Sequence, residues 1–217
     1  PGGRTNPPSN SVNARTLAAI LSTMKLTGLL LFFLGLISCK SQESYSQAKV
    51  LTDSANTIFK TTLDPLKALP LLNQATLIDS SYLPALVSKF NFEMASGLLD
   101  EALQTGKRLI KIRPGVSEYY TGIGFIYEKN NDTVSSKKYF LDAVACCDKK
   151  LENMAKTHKD YNWILFGKAS NLIFAGEQRS GNEILKKLYD SNSDESFKEL
   201  VKSFMNKPKH QILEEMK

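Results

Sequence analysis

The strongest constraint on this chain is a two-helix unit between Ser117 and Asp148, reading SEYYTGIGFIYEKNNDTVSSKKYFLDAVACCD, parts of which recur upstream at a fixed interval. Ile123 and Gly124 follow Tyr120 by three and four residues, and Tyr127 follows them by four and three, a helical spacing. Asn130-Asn131-Asp132 breaks that helix, and Ser136, Phe140 and Ala143 mark a second one. Thirty-four residues before Ser136 stands Ala102, and another 34 before that stands Ala68; a close helix crossing needs small residues at these places. Ala143 maps to Leu109 and Ala75. Asp148 maps to Ser80 and to Pro114, which suits a helix end because proline cannot continue a helix. The middle unit matches poorly at two places, where Phe140 maps to Gly106 and Tyr127 to Glu93; the first unit has Leu72 and Phe59 there. A unit this small cannot bury its own apolar faces, so such units must stack.

The spacing of repeat three resembles the tetratricopeptide repeat superfamily, and the resemblance extends over roughly residues 50–206. It implies an all-α fold: a short α-solenoid of antiparallel helix pairs. Gly97 and Asn131, one period apart, are expected at the turns within repeats two and three, since both tolerate the left-handed conformation that ends a helix. Asp64-Pro65 reads as cap and first residue of the second helix of repeat one, and Asp132-Thr133 can cap its equivalent in repeat three. A fourth unit follows 45 residues after the third, with Leu165, Ala169 and Leu172, then Gly176, then Gly181, Leu185 and Leu188. The extra segment CCDKKLENMAK holds neither Pro nor Gly, so the second helix of repeat three is expected to overrun by about three turns. Phe197, Leu200, Val201 and Phe204 form an amphipathic capping helix, which Pro208 ends; residues 207–217 are a tail or short helix.

The N-terminal region is different in kind. Residue 1 is Pro, and Met24 is the expected native start; residues 1–23 are expected to be disordered or an upstream extension foreign to the native product. Lys25 precedes an apolar run, LTGLLLFFLGLI, of about a dozen residues. A helix spanning a bilayer needs about 20, so residues 24–38 read as a secretory signal segment. The run ends in Leu36-Ile37-Ser38-Cys39, which resembles the lipobox of bacterial lipoproteins. That resemblance implies lipid on the Cys39 sulfur, cleavage before it, and acyl chains such as palmitate on the new terminus. Several chains anchor stably where one is marginal. No Asp follows Cys39, so the inner-membrane retention signal is missing, which points to an outer membrane with the domain facing the periplasm. Residues 39–48, rich in Ser and Gln, read as a flexible tether ahead of a repeat domain over 49–206.

Charge and motifs exclude several functions. The net charge of the 217 residues is +6, but residues 1–38 hold Arg4, Arg15 and Lys25 and no acid, which leaves 25 basic against 22 acidic residues. That excess gives no case for nucleic acid. There is no G-x-S-x-G, Walker-type loop or H-E-x-x-H. His158 and His210 lack metal-ligand spacing and read as surface residues. Adjacent helical residues point about 100° apart, so Cys146 and Cys147 read as one buried and one partly exposed thiol, not a bridge. No catalytic residue, metal or cofactor is expected, and the chain reads as non-enzymatic.

Some tetratricopeptide proteins clamp a C-terminal carboxylate with Lys and Asn on their first helices. The equivalent positions here hold Asp53, Thr57, Ser88, Glu118 and Gly122, so the resemblance does not carry that use across. The remaining groove-facing candidates are Asn91, Met94, Thr121, Phe125, Phe166 and Ser170, a mixed polar and apolar set suited to an extended peptide or partner helix. The expected function is a lipid-anchored scaffold for a protein or peptide partner in the cell envelope. The alternatives are a ligand-binding or enzymatic pocket near the C-terminal helices, with Cys146, Cys147, His158 and Trp163 as its nearest reactive groups, or a structural subunit of an envelope assembly.

Overall fold

The computed structural model describes residues 42–215. Residues 1–41, which include the expected signal segment and Cys39, lie outside that range. From Ala48 onward the chain forms one compact unit.

Ten helices and no strand occur among the described residues: α1 over residues 42–62, α2 Pro65–Ile78, α3 Leu83–Ala95, α4 Leu99–Ile112, α5 Ser117–Lys129, α6 Thr133–Glu152, α7 Tyr161–Phe174, α8 Gln178–Ser191, α9 Glu195–Phe204 and α10 Lys209–Glu215. From α2 to α9 each helix packs on the next, the pattern of an antiparallel stack. The second helices α2, α4 and α6 begin at Pro65, Leu99 and Thr133, 34 residues apart, and α8 begins at Gln178, 45 further on.

The turns inside the repeats are built alike. Gly97, Asn131 and Gly176 all take positive φ, at 73°, 58° and 87°. After each, the next N–H reaches back to a carbonyl five residues earlier: Leu98 to Glu93 at 2.9 Å, Asp132 to Tyr127 at 2.9 Å and Glu177 to Leu172 at 2.8 Å. This satisfies carbonyls that the helix end leaves open. Leu63 holds the same place one period before Gly97 and also has positive φ, 53°. Two of the caps read from the sequence form as expected. The Asp64 carboxylate accepts from the Leu66 N–H at 3.0 Å, with Pro65 opening α2, and Asp132 accepts from the Ser135 N–H at 3.0 Å.

The stack has two rims. One carries the within-repeat turns, the other the between-repeat loops. Along the second rim, second helices reach the loop that precedes their own repeat: the Arg108 guanidinium of α4 donates to the Ser80 carbonyl of the α2–α3 loop, and the Cys146 thiol of α6 to the Pro114 carbonyl of the α4–α5 loop at 3.4 Å.

Small residues set the helix crossings. Ala68, Ala102, Ser136 and Ala169 are fully or almost fully buried. A Cβ on Gly181 would stand 2.8 Å from the Ala169 carbonyl oxygen, so α7 and α8 meet there at backbone distance. The buried side chains form three successive clusters. Leu69, Leu72 and Phe92 centre the first, Leu86, Phe90 and Leu109 the second, and Phe140, Ile173, Leu185 and Val201 the third. The third is closed by α9, whose Phe197 and Val201 are buried. α10 adds Ile212 and a latch: the Lys209 ammonium bonds the Glu128 carboxylate at 2.6 Å and stands 5.4 Å from the Phe140 ring centre. Burial pushes the Glu128 carboxyl up, but the Lys209 and Ser136 hydrogen bonds outweigh it and hold the group below the usual range.

Two expectations need correction. α6 is 20 residues long, against 14 for α2, α4 and α8, so it overruns by under two turns, not three. It stops at Glu152, and residues 153–160, which offer little apolar surface to hold another turn, form the connection. Residues 42–48, expected as tether, are helical. Extending an existing helix is cheap even with ordinary polar residues, and Gln47 donates to Glu43 one turn back at 3.3 Å.

Candidate binding groove

The first helices of repeats two, three and four present one face together. Asn91 and Met94 come from α3, Thr121 and Phe125 from α5, and Phe166 and Ser170 from α7, each pair three or four residues apart and so on one side of its helix. All six line a single open hollow of about 430 Å³. Its floor is aromatic. Phe125 stands edge-on to Phe140 and Phe174, with ring centres at 5.2 and 5.0 Å. Phe166 stands edge-on to Phe204 of α9 at 5.0 Å. Edge-to-face contacts of this kind fix ring orientation as well as burying area.

Polar groups interrupt the floor. The Thr121 hydroxyl donates to the Asn171 side-chain oxygen at 2.8 Å, and the Asn171 amide donates to the Gly167 carbonyl at 2.8 Å. Asn171 is buried, with both ends of its amide engaged, and so ties α5 to α7 beneath the hollow. The Ser170 hydroxyl is spent on the Phe166 carbonyl at 2.9 Å. Asn91 is exposed and brings a free amide to the edge, and Glu118 supplies a carboxylate there. Gly122 opens the middle: a Cβ would stand 2.6 Å from the Phe90 ring, so a larger residue could not keep α3 and α5 this close.

Several lining residues were not foreseen as such. From the sequence, Phe204 is expected only on the capping helix. It reaches the groove because α9 folds back beside α7. Asn171 is the more recoverable one, since a lone amide inside the apolar run Ile164–Phe174 needs a buried partner.

The alternative reactive set is not brought together. Cys147 is buried and Cys146 partly exposed, and burial pushes both thiols up, away from the reactive thiolate. Cys146 lines a separate hollow of about 600 Å³ with Pro114, Tyr120 and Lys149. His158 lies exposed in the α6–α7 connection, its Nδ1 3.8 Å from Asp160, and Trp163 packs edge-on against Phe197 at 5.0 Å. Among the described residues, no group of three or more His, Cys, Asp or Glu side chains could hold a metal ion, and no helix is long and apolar enough to cross a membrane.

Stacked helix pairs, small crossing residues and recurring turns make this chain a tetratricopeptide-like α-solenoid with a C-terminal cap. Two solved structures, both of one protein, agree on the fold. A protein described as a kinesin light chain of Podosopora anserina, with nearly identical TPR-like repeats, superposes at TM-score 0.55 with 14% identity, covering 74% of this chain and 84% of that one. A single-substitution form of it gives TM-score 0.55 at 15% identity over the same shares. YrrB, described as a TPR protein with an unusual peptide-binding site, aligns at TM-score 0.45 and 14% identity, covering 65% of this chain and 67% of that one. No protein-family model matches the chain, and no curated protein matches it in sequence.

Proposed function

We propose that this protein is a lipid-anchored scaffold, not an enzyme, that holds an extended peptide or partner segment of the cell envelope in the groove across α3, α5 and α7. The observation carrying the binding half is the hollow itself: three successive first helices pool an aromatic floor and a polar edge in one open site. Such a surface fits a segment that buries apolar side chains while its backbone finds partners such as Asn91 and Glu118. The anchoring half rests on the Leu36–Cys39 box and the preceding apolar run.

Phe125 is a poor residue to change, because its ring is wedged between Phe140 and Phe174. Met94 and Asn91 are better placed, being half-buried and exposed. Peptides selected on the full chain are expected to share spaced apolar residues and to bind Met94→Arg or Asn91→Arg at least about tenfold more weakly, with an unchanged melting temperature. Equal binding by both variants would move recognition off this face. For the anchor, Cys39→Ala is expected to release the protein from the membrane fraction; unchanged fractionation would end that half.

A further inference from the structure

The two rims of the solenoid differ in how their cations are used. On the within-repeat rim they are mostly spent: Lys67 on Asp64 at 3.7 Å, Lys137 on Glu177 at 3.1 Å, and Lys209 on Glu128 at 2.6 Å. On the between-repeat rim they are not. Lys111 and Arg113 at the end of α4, Lys156 and Lys159 in the α6–α7 connection, and Lys186 and Lys187 near the end of α8 are all exposed, and none makes an ion pair among the described residues. The carboxylates nearby do not offset them. Asp148 is taken by Lys168 and Asp160 sits against His158, while Asp79, Glu118, Glu152, Asp190 and Asp194 make no ion pair among the described residues and are outnumbered by these cations and Lys149.

The same rim also exposes large apolar side chains. Leu77 at the end of α2 is 83% exposed, Ile112 at the end of α4 36%, and Trp163 at the start of α7 55%. Free lysines interleaved with exposed Leu, Ile and Trp match what the boundary of an anionic bilayer selects: cations reach head-group phosphates while apolar tips and an indole enter the interface. A purely polyanionic partner would give no reason for the apolar members.

We propose that the between-repeat rim docks on the anionic head groups of a phospholipid bilayer. This orients an anchored protein, and so it rests on the lipid-anchored reading above. The chain allows the approach. Ala48, at the start of the compact unit, lies at this rim, since α1 runs from it to the within-repeat turn at Leu63. Cys39 is nine residues upstream; with residues 42–48 helical, at about 1.5 Å per residue, and at most about 3.6 Å for each of the other three, the reach is at most about 20 Å. With this rim down, the groove faces sideways along the membrane, open to a partner in the aqueous layer.

Trp163 is the chain's single tryptophan and therefore reports on this rim alone. The full chain is mixed with vesicles of phosphatidylcholine, or with vesicles containing phosphatidylglycerol, each with bromine on the acyl chains, while co-sedimentation is measured in parallel. The expected result is a blue shift and quenching of Trp163 in the anionic vesicles, at least about twofold stronger than in the zwitterionic ones and reversed by high salt. Reversing four charges (Lys156→Glu, Lys159→Glu, Lys186→Glu, Lys187→Glu) is expected to abolish the quenching while leaving the far-ultraviolet spectrum and co-sedimentation intact. Equal Trp163 signals in both lipids, or a response to single-stranded RNA but not to anionic vesicles, would overturn the rim proposal. Loss of co-sedimentation for the unaltered protein in neutral vesicles, with Trp163 still responding to anionic ones, would instead overturn the anchor and leave the rim standing.

Discussion

Repeats two and three keep the same backbone interval but exchange the ring and the gap between their helices. In repeat two the ring is on the first helix and the gap on the second: a Cβ on Gly106 would stand 2.8 Å from the Phe90 ring. In repeat three the gap is Gly124 on the first helix and the ring Phe140 on the second, at 2.7 Å. Phe90 and Gly124 are one period apart, and so are Gly106 and Phe140. The crossing therefore depends on the combined volume of a facing pair and not on which helix supplies it, as interiors packed to near crystal density require.

The two rings are not equally committed. Phe140 is fully buried and meets Phe125 and Phe174 besides Gly124. Phe90 borders the groove. Phe140→Ala should therefore cost about 3–5 kcal/mol in urea melts, and Phe90→Ala measurably less. The exchange itself can be tested by a cycle. Gly124→Phe and Phe140→Gly are each expected to be severely destabilising, but their combination should recover about 1–3 kcal/mol relative to the sum. Strict additivity would mean the two positions do not share one space.

A second contrast is chemical. Where repeat three has Tyr127, stacked on Tyr139 with ring centres 5.4 Å apart, repeat two has Glu93, only 3% exposed. One Glu93 oxygen lies 3.6 Å from the Lys89 ammonium, and the other has no hydrogen-bond partner. Burial pushes this carboxyl above the usual range, with Thr105 and Lys89 opposing it only in part. The folded state thus holds the proton to higher pH than the unfolded chain does. Its contribution is most favourable below the ordinary carboxylate range and is lost as pH rises through the elevated value. Glu93→Gln should stabilise the protein at neutral pH by roughly 1 kcal/mol and flatten this part of the stability–pH curve. No change in slope would show that the carboxylate reaches water in solution.

The smallest effect concerns the first turn. Leu63 is 78% exposed and holds the left-handed conformation that Gly97, Asn131 and Gly176 hold elsewhere. A branched side chain there is strained and gains little burial. Leu63→Gly should raise stability by about 0.5–1 kcal/mol, less than the strain relieved because glycine also frees the unfolded chain. A neutral or negative change would place Leu63 in a contact that offsets the strain.

What was legible in the sequence was local. The small residues at Ala68, Ala102 and Ser136, the turns at Gly97 and Asn131, and the caps at Asp64 and Asp132 each state their role within a few positions. The six groove residues converge on one hollow because helical spacing and the period together fix which side of each first helix faces them. The exchange of Phe90 for Gly124 was invisible to position-by-position comparison, which recorded only that Gly106 and Phe140 disagree. Glu93 looked like a poor match, and nothing nearby in sequence showed that it is buried. The end of α6 was misplaced because the absence of Pro and Gly in Cys146–Lys156 permits a helix without requiring one.

The place of Phe204 in the groove has a consequence for biosynthesis. The site is assembled from segments that leave the ribosome in sequence: α3 first, then α5, α7 and, after all of them, α9. Until α9 has emerged and folded back, Phe166 lacks its edge-on contacts with Phe197 and Phe204, and one wall of the hollow is missing. A chain that stops short of α9 thus exposes apolar first helices without offering a finished receptor, and competence to bind requires a chain complete through Phe204.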